Sequence, residues 1–118
     1  MAPGSKERVD PIFENYLLAL AGVDQCSQNA PEVVRSRLAV NLERAERAYS
    51  DAAADGLVDV PVDMEAELSA LVRVNELSRH RLHRGTSIAD LLVDLEQGTE
   101  QANRIVRATI FRQERSAP

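Results

Sequence analysis

Apolar residues recur every three or four positions along four segments of this chain, and that spacing predicts four α-helices. Proline or a short polar residue precedes each segment and glycine follows the first three, which are the usual start and stop signals of helices. The predicted helices run from Asp10 to Gly22, from Pro31 to Gly56, from Pro61 or Asp63 to Gly85, and from Thr86 or Ser87 to about Gln113.

Each predicted helix carries an apolar stripe, and four such stripes bury themselves most simply against one another. The sequence therefore predicts an all-α, four-helix bundle-like single domain with a long C-terminal helix. The stripes are Ile12, Phe13, Tyr16, Leu17 and Leu20; Val34, Leu38, Leu42, Ala45, Tyr49 and Ala52; Met64, Leu68, Leu71 and Val74, broadened by Val72, Leu77 and Leu82; and Ile88, Leu92, Leu95, Thr99, Ala102, Val106 and Thr109.

Two further features fit one helical domain. Residues 57–62 alternate like a short strand, but no second strand is predicted to pair with them, so we expect an extended linker. Aromatic residues make up 3% of the 118 residues and Trp is absent, which favours an aliphatic helical core over a β-sandwich. We expect flexible tails at residues 1–9 and 114–118 around a bundle of residues 10–113.

The charge is unevenly distributed. The net charge is −5 and the pI about 5.0, which argues against general attraction to nucleic acid or to a membrane. Residues 1–71 hold six Lys or Arg against thirteen Asp or Glu, a balance of −7, whereas residues 72–118 hold eight against six, a balance of +2. One cysteine, Cys26, and no signal peptide indicate a cytoplasmic protein, and Arg in place of Lys is typical of a GC-rich bacterial genome.

The fourth helix is predicted to continue through Gly98, although glycine in a helix interior costs roughly 1 kcal/mol. Aliphatic residues flank its main stripe and widen it beyond what three shorter helices easily cover, so we expect a homodimer. The predicted dimer interface comprises Leu91, Leu95, Ala102, Ile105, Val106 and Ile110.

Arginine and histidine crowd the predicted end of the third helix. Arg79, Arg81 and Arg84 are candidate contacts for an anion or an acidic partner, although cations at a helix C-terminus are also favoured simply by the exposed carbonyl groups. A weaker alternative is a metal site, because the helical spacing of Glu76, His80 and His83 places them on one face. The neighbouring arginines would repel a divalent cation, so no metal is predicted.

Residues 86–111 have an alternative interpretation as a degenerate helix-turn-helix that binds DNA. Gly85 to Leu95 resembles the opening of that motif, with the turn at residues 96–99 and a recognition helix from Glu100 to Phe111. Arg104 and Arg107 would then contact nucleic acid. Glu96 and Gln97 depart from the usual residues, and Glu100 would place a negative charge beside phosphates, so nucleic acid is not the favoured partner.

No catalytic motif is present: the sequence has no glycine-rich phosphate loop, no nucleophile elbow and no paired Glu-x-x-His helices. Cys26 has no base near it in sequence, so we interpret it as an incidental half-buried side chain. We therefore expect no catalytic residue and no cofactor. The leading hypothesis is a small regulatory protein that contacts a protein partner or a second copy, and a third hypothesis is a ligand sensor or small enzyme.

Overall fold

The computed structural model describes residues 3–26, 30–54, 64–85 and 87–116, with side chains described for 11–26, 30–53, 64–85 and 87–110. All regular structure in these ranges is helical, as the sequence predicts. The predicted linker at residues 57–62 lies outside the described residues. The helices are α1 (Pro3–Gln25), α2 (Glu32–Ala54), α3 (Glu65–Arg84) and α4 (Ile88–Ser116).

Two apolar clusters fill the bundle and fix the helix directions. α1 and α3 run from the first cluster to the second, whereas α2 and α4 run from the second to the first. α2 packs beside α1 and α4, α3 packs beside the same two helices, and α1 contacts α4 across the bundle. The first cluster contains Ile12, Ala48, Ala52, Met64, Leu68, Leu71, Ala102, Ile105 and Val106; the second contains Leu18, Leu38, Leu91, Leu92 and Leu95.

Both predicted ends of the first helix are wrong. α1 begins at Pro3, so Asp10 is not its cap, and Pro11 lies inside the helix. The Pro11 carbonyl accepts a 3.0 Å hydrogen bond from Nδ2 of Asn75, which ties this turn of α1 to α3. Gly22 does not end the helix either. It lies where α1 packs against α4, and a Cβ there would be 2.7 Å from Cδ1 of Leu95.

Several other helix ends agree more closely with the sequence, whereas the predicted end of α2 at Gly56 and the predicted start of α3 at Pro61 or Asp63 lie outside the described residues. The carbonyl of Pro31 accepts hydrogen bonds from the amides of Val34 and Arg35, at 3.0 and 3.1 Å. Gly85 ends α3 in the left-handed conformation, with φ 66° and ψ 36°, and its amide donates to the carbonyl of Arg81. Ser87 precedes α4 as predicted, and α4 extends to Ser116, past the predicted end at Gln113.

α4 is one continuous helix through Gly98, which confirms the predicted continuity. The helix-turn-helix interpretation of residues 86–111 is therefore wrong, because a recognition helix must cross its neighbour after a turn. A Cβ on Gly98 would lie 2.7 Å from Oδ1 of Asn15, so this glycine serves close packing of α1 on α4.

The residues of the predicted dimer interface lie in the core of a single chain, so this structure does not expose them to a second copy. α1, α2 and α3 together cover the wide stripe of α4, and Ile110 is half-buried against the first cluster. The fully buried members are Leu91, Leu95, Ala102, Ile105 and Val106.

No helix in the described ranges has the length and apolar content needed to cross a membrane.

Candidate interaction surface

The outer face of α1 carries large apolar side chains at helical spacing. Phe13, Leu17 and Leu20 are 38%, 44% and 37% exposed, although the sequence predicts them to be buried. α1 instead buries the opposite face, which comprises Ile12, Asn15, Leu18, Ala19 and Gly22. The more apolar of the two faces is predicted to enter the core. The face that does enter it contains the polar Asn15, which weakens its apolar pattern in the sequence.

Aromatic rings extend this surface from α1 to α2. The ring of Tyr49 on α2 lies 4.9 Å from that of Phe13 and 5.9 Å from that of Tyr16, with the two tyrosine rings nearly parallel. Tyr16 and Tyr49 are half-buried. We refer to Phe13, Tyr16, Leu17, Leu20 and Tyr49 as the α1 outer face.

The predicted stripes of the other helices are mostly confirmed. Leu38, Ala45 and Ala52 of α2 are buried, and Val34, Leu42 and Tyr49 beside them are half-buried. Met64, Leu68, Leu71 and Val74 form the buried face of α3, but Val72 and Leu77 point to solvent and do not broaden it. Ile88 is half-buried, and the rest of the α4 stripe from Leu92 to Thr109 is buried.

Two of the three arginines predicted to contact anions pair with carboxylates of neighbouring helices. Arg79 forms an ion pair with Glu14 of α1, and Arg81 forms one with Asp94 of α4. Asp94 is only 13% exposed, so this pair is partly withdrawn from water. Arg84 lies exposed at the end of α3. Arg79 and Arg81 therefore connect α3 to α1 and α4 of the same chain through ion pairs.

We expect Arg81→Met to lower the free energy of unfolding by about 1–3 kcal/mol, because it leaves the Asp94 carboxylate without its charged partner. Arg84→Met is the matched control, since it removes an exposed arginine from the same turn and should change stability by less than about 0.5 kcal/mol. Urea denaturation of the three proteins measures both effects. Equal stabilities for the two variants would contradict a structural role for Arg81.

Further ion pairs join α2 to α4. Arg37 pairs with Glu96, and Arg44 pairs with Glu100 at 3.3 Å. The hydrogen bonds that Arg37 donates to Glu96, together with the negative charge of Glu96, raise the pKa of Arg37 above its ordinary value. Arg104, the predicted DNA contact, lies 3.4 Å from Glu100 on its own helix, and Arg107 is exposed.

Glu76, His80 and His83 are exposed on α3. No group of three or more His, Cys, Asp or Glu side chains is arranged to hold a metal ion within the described ranges. A depression on the outside of α2 is lined by Glu43, Arg44, Glu46, Arg47, Ser50 and Asp51. The side chains described in its lining all lie on one exposed face of α2, so they do not converge on a bound ligand.

Cys26 follows the end of α1 and is half-buried against the second cluster, where its amide donates to the carbonyl of Val23 at 3.2 Å.

Comparison of this chain with protein-family models, with curated proteins and with solved structures finds no match.

Proposed function

We propose that this protein is a small cytoplasmic interaction module that uses the α1 outer face to bind a basic amphipathic helix of a partner protein. The observation that carries the proposal is the exposed row of Phe13, Leu17 and Leu20, spaced so that a second helix can lie along it. A contiguous apolar patch on a soluble domain is a usual mark of an interaction site.

The charge of α1 and α2, the two helices that carry this face, indicates the chemistry of the partner. Three charged residues of α1 and α2 form ion pairs with α3 or α4, namely Glu14, Arg37 and Arg44. The other charged side chains described on α1 and α2 are five carboxylates and two guanidinium groups, which gives this side of the bundle a negative balance. They are Asp24, Glu32, Glu43, Glu46 and Asp51 against Arg35 and Arg47.

A second copy of the chain fits this face less well than a basic partner. Two copies that pair through α1 would bring two acidic surfaces together, and like charges across an interface disfavour association. Pairing α1 of one copy with the more basic α3 of another would be a head-to-tail contact, which leads to open chains of subunits unless the rotation closes. We therefore propose a partner of opposite charge in preference to the predicted homodimer.

A synthetic helical peptide of about five turns, with Leu along one face and Lys elsewhere, provides the test. The fluorescein-labelled peptide is titrated with the protein and anisotropy is recorded at low and at high salt. We expect saturable binding that weakens with salt, because the face combines apolar contact with negative charge. A peptide with Glu in place of every Lys should bind much more weakly.

The double variant Leu17→Ser with Leu20→Ser should weaken binding of the Lys peptide by roughly tenfold or more, since it removes two apolar anchors. Val93→Ser is the control, because Val93 is 56% exposed on α4 and lies outside the α1 outer face. Equal affinity for wild type and the double variant would show that the peptide binds elsewhere. No binding of the Lys peptide at any salt concentration would contradict the proposed partner chemistry.

A further inference from the structure

Six polar side chains of the described residues are buried in the bundle, and four of them come one from each helix. These four are Asn15, Asn41, Asn75 and Thr99, and the other two are Ser78 and Thr109. The first four lie between the two apolar clusters. On α2, Asn41 falls between Leu38 of the second cluster and Ala48 of the first. Thr99 has the same position on α4, between Leu95 and Ala102. The core therefore contains one polar layer, which we call the central layer.

Three members of the central layer are hydrogen-bonded within the protein. Nδ2 of Asn15 donates to the hydroxyl of Thr99 at 3.2 Å, and Nδ2 of Asn75 donates to the Pro11 carbonyl at 3.0 Å. Asn41 differs from them. It is 2% exposed, and within the described part of the chain neither Nδ2 nor Oδ1 of its carboxamide has a hydrogen-bond partner.

The ion pairs between α2 and α4 show which segment of α4 lies level with Asn41. Arg37 pairs with Glu96 and Arg44 pairs with Glu100, so residues 37–44 of α2 run alongside residues 96–100 of α4. Asn41 lies in the middle of this α2 segment and is buried. Thr99 is the buried polar residue of the facing α4 segment, with 0% exposure.

A buried carboxamide without partners costs about 1–3 kcal/mol, and buried amides are paired with protein or with water in the great majority of cases. We propose that Asn41 and Thr99 form a binding site for one internal water molecule between α2 and α4. Water both donates and accepts hydrogen bonds, as do the Asn41 carboxamide and the Thr99 hydroxyl. A water molecule also fits in a small space between side chains. The site contains no charged group, so it suits a neutral guest rather than an ion.

Water-selective NOE and ROE spectra of the ¹⁵N-labelled full-length protein test this proposal. The side-chain amide protons of Asn41 should show a cross-peak to water whose sign indicates a bound molecule rather than chemical exchange. Asn75 is the matched control in the same spectrum, because it is equally buried but donates to the Pro11 carbonyl and is not part of the proposed site. Its amide protons should show no water cross-peak.

Thr99→Val removes the hydroxyl at nearly constant volume and should abolish the water cross-peak of Asn41. A wild-type spectrum without a water cross-peak at Asn41 would overturn the proposal, whatever the variants do. Equal cross-peaks at Asn41 and Asn75 would also overturn it, because they would indicate general hydration of the core. A cross-peak at Asn41 that survives Thr99→Val would remove Thr99 from the site.

Discussion

Leu95→Ala is expected to lower the free energy of unfolding by about 2–5 kcal/mol, and by the same amount at every protein concentration. Leu95 is 1% exposed in the second cluster, and its Cδ1 approaches Gly22 so closely that a Cβ there would be 2.7 Å away. Truncation therefore leaves a cavity between α1 and α4. Urea denaturation at two protein concentrations about tenfold apart measures the effect.

The concentration series decides between a core and an interface role for Leu95. A residue that stabilised a dimer would make the midpoint of unfolding depend on protein concentration. Val93→Ala is the control: Val93 lies on the same turn of α4 but is 56% exposed, so the change should be within about 0.5 kcal/mol. A midpoint that rises with concentration in the wild type and no longer does so in Leu95→Ala would contradict the assignment to the core.

Gly98→Leu is expected to destabilise the protein by about 1–3 kcal/mol through overpacking. Intrinsic helix propensity predicts the opposite, because leucine is favoured over glycine by roughly 0.8 kcal/mol in a helix interior. The core leaves no room for the side chain, since a Cβ at Gly98 would be 2.7 Å from Oδ1 of Asn15 and 3.5 Å from Cγ1 of Val74. Thermal and urea unfolding of the variant measure the net change in the free energy of unfolding from these two opposing effects.

Two further variants isolate the cause of this effect. Gln97→Leu adds the same side chain at the neighbouring exposed position and should change stability by less than about 0.5 kcal/mol. Asn15→Ala removes the atom that a Cβ at Gly98 would meet, so Gly98→Ala should be more favourable in that background than in the wild type. A stabilising Gly98→Leu would show that Asn15 does not restrict this position.

The sequence is sufficient to predict the buried face of a helix when its apolar stripe is the face that enters the core. The stripes of α3 and α4 recur at regular spacing, and their main positions are buried. α1 could not be oriented in this way, because its buried face contains Asn15 and Gly22 whereas its exposed face contains Phe13, Leu17 and Leu20. Hydrophobic periodicity identifies the more apolar face, and in α1 that face points outward.

The candidate surfaces could be predicted only in part. Arg79 and Arg81 stand out in the sequence as a basic cluster, but their partners Glu14 and Asp94 lie on other helices and no local pattern identifies them. The wide apolar stripe of α4 suggested a dimer interface. Whether other helices of the same chain cover this stripe depends on how α1, α2 and α3 pack, which the sequence of α4 does not show. That packing is set by contacts distant in sequence, such as the hydrogen bond between Asn15 and Thr99.

We propose that one chain covers its own core, including the whole stripe of α4, and leaves the α1 outer face for a partner of opposite charge. Sedimentation equilibrium of the isolated protein from micromolar to submillimolar concentration tests this proposal. We expect a single species of 13.0 kDa throughout. A species of twice that mass that persists in the Leu17→Ser with Leu20→Ser variant would contradict it, because another face of the bundle would then be incomplete without a second copy.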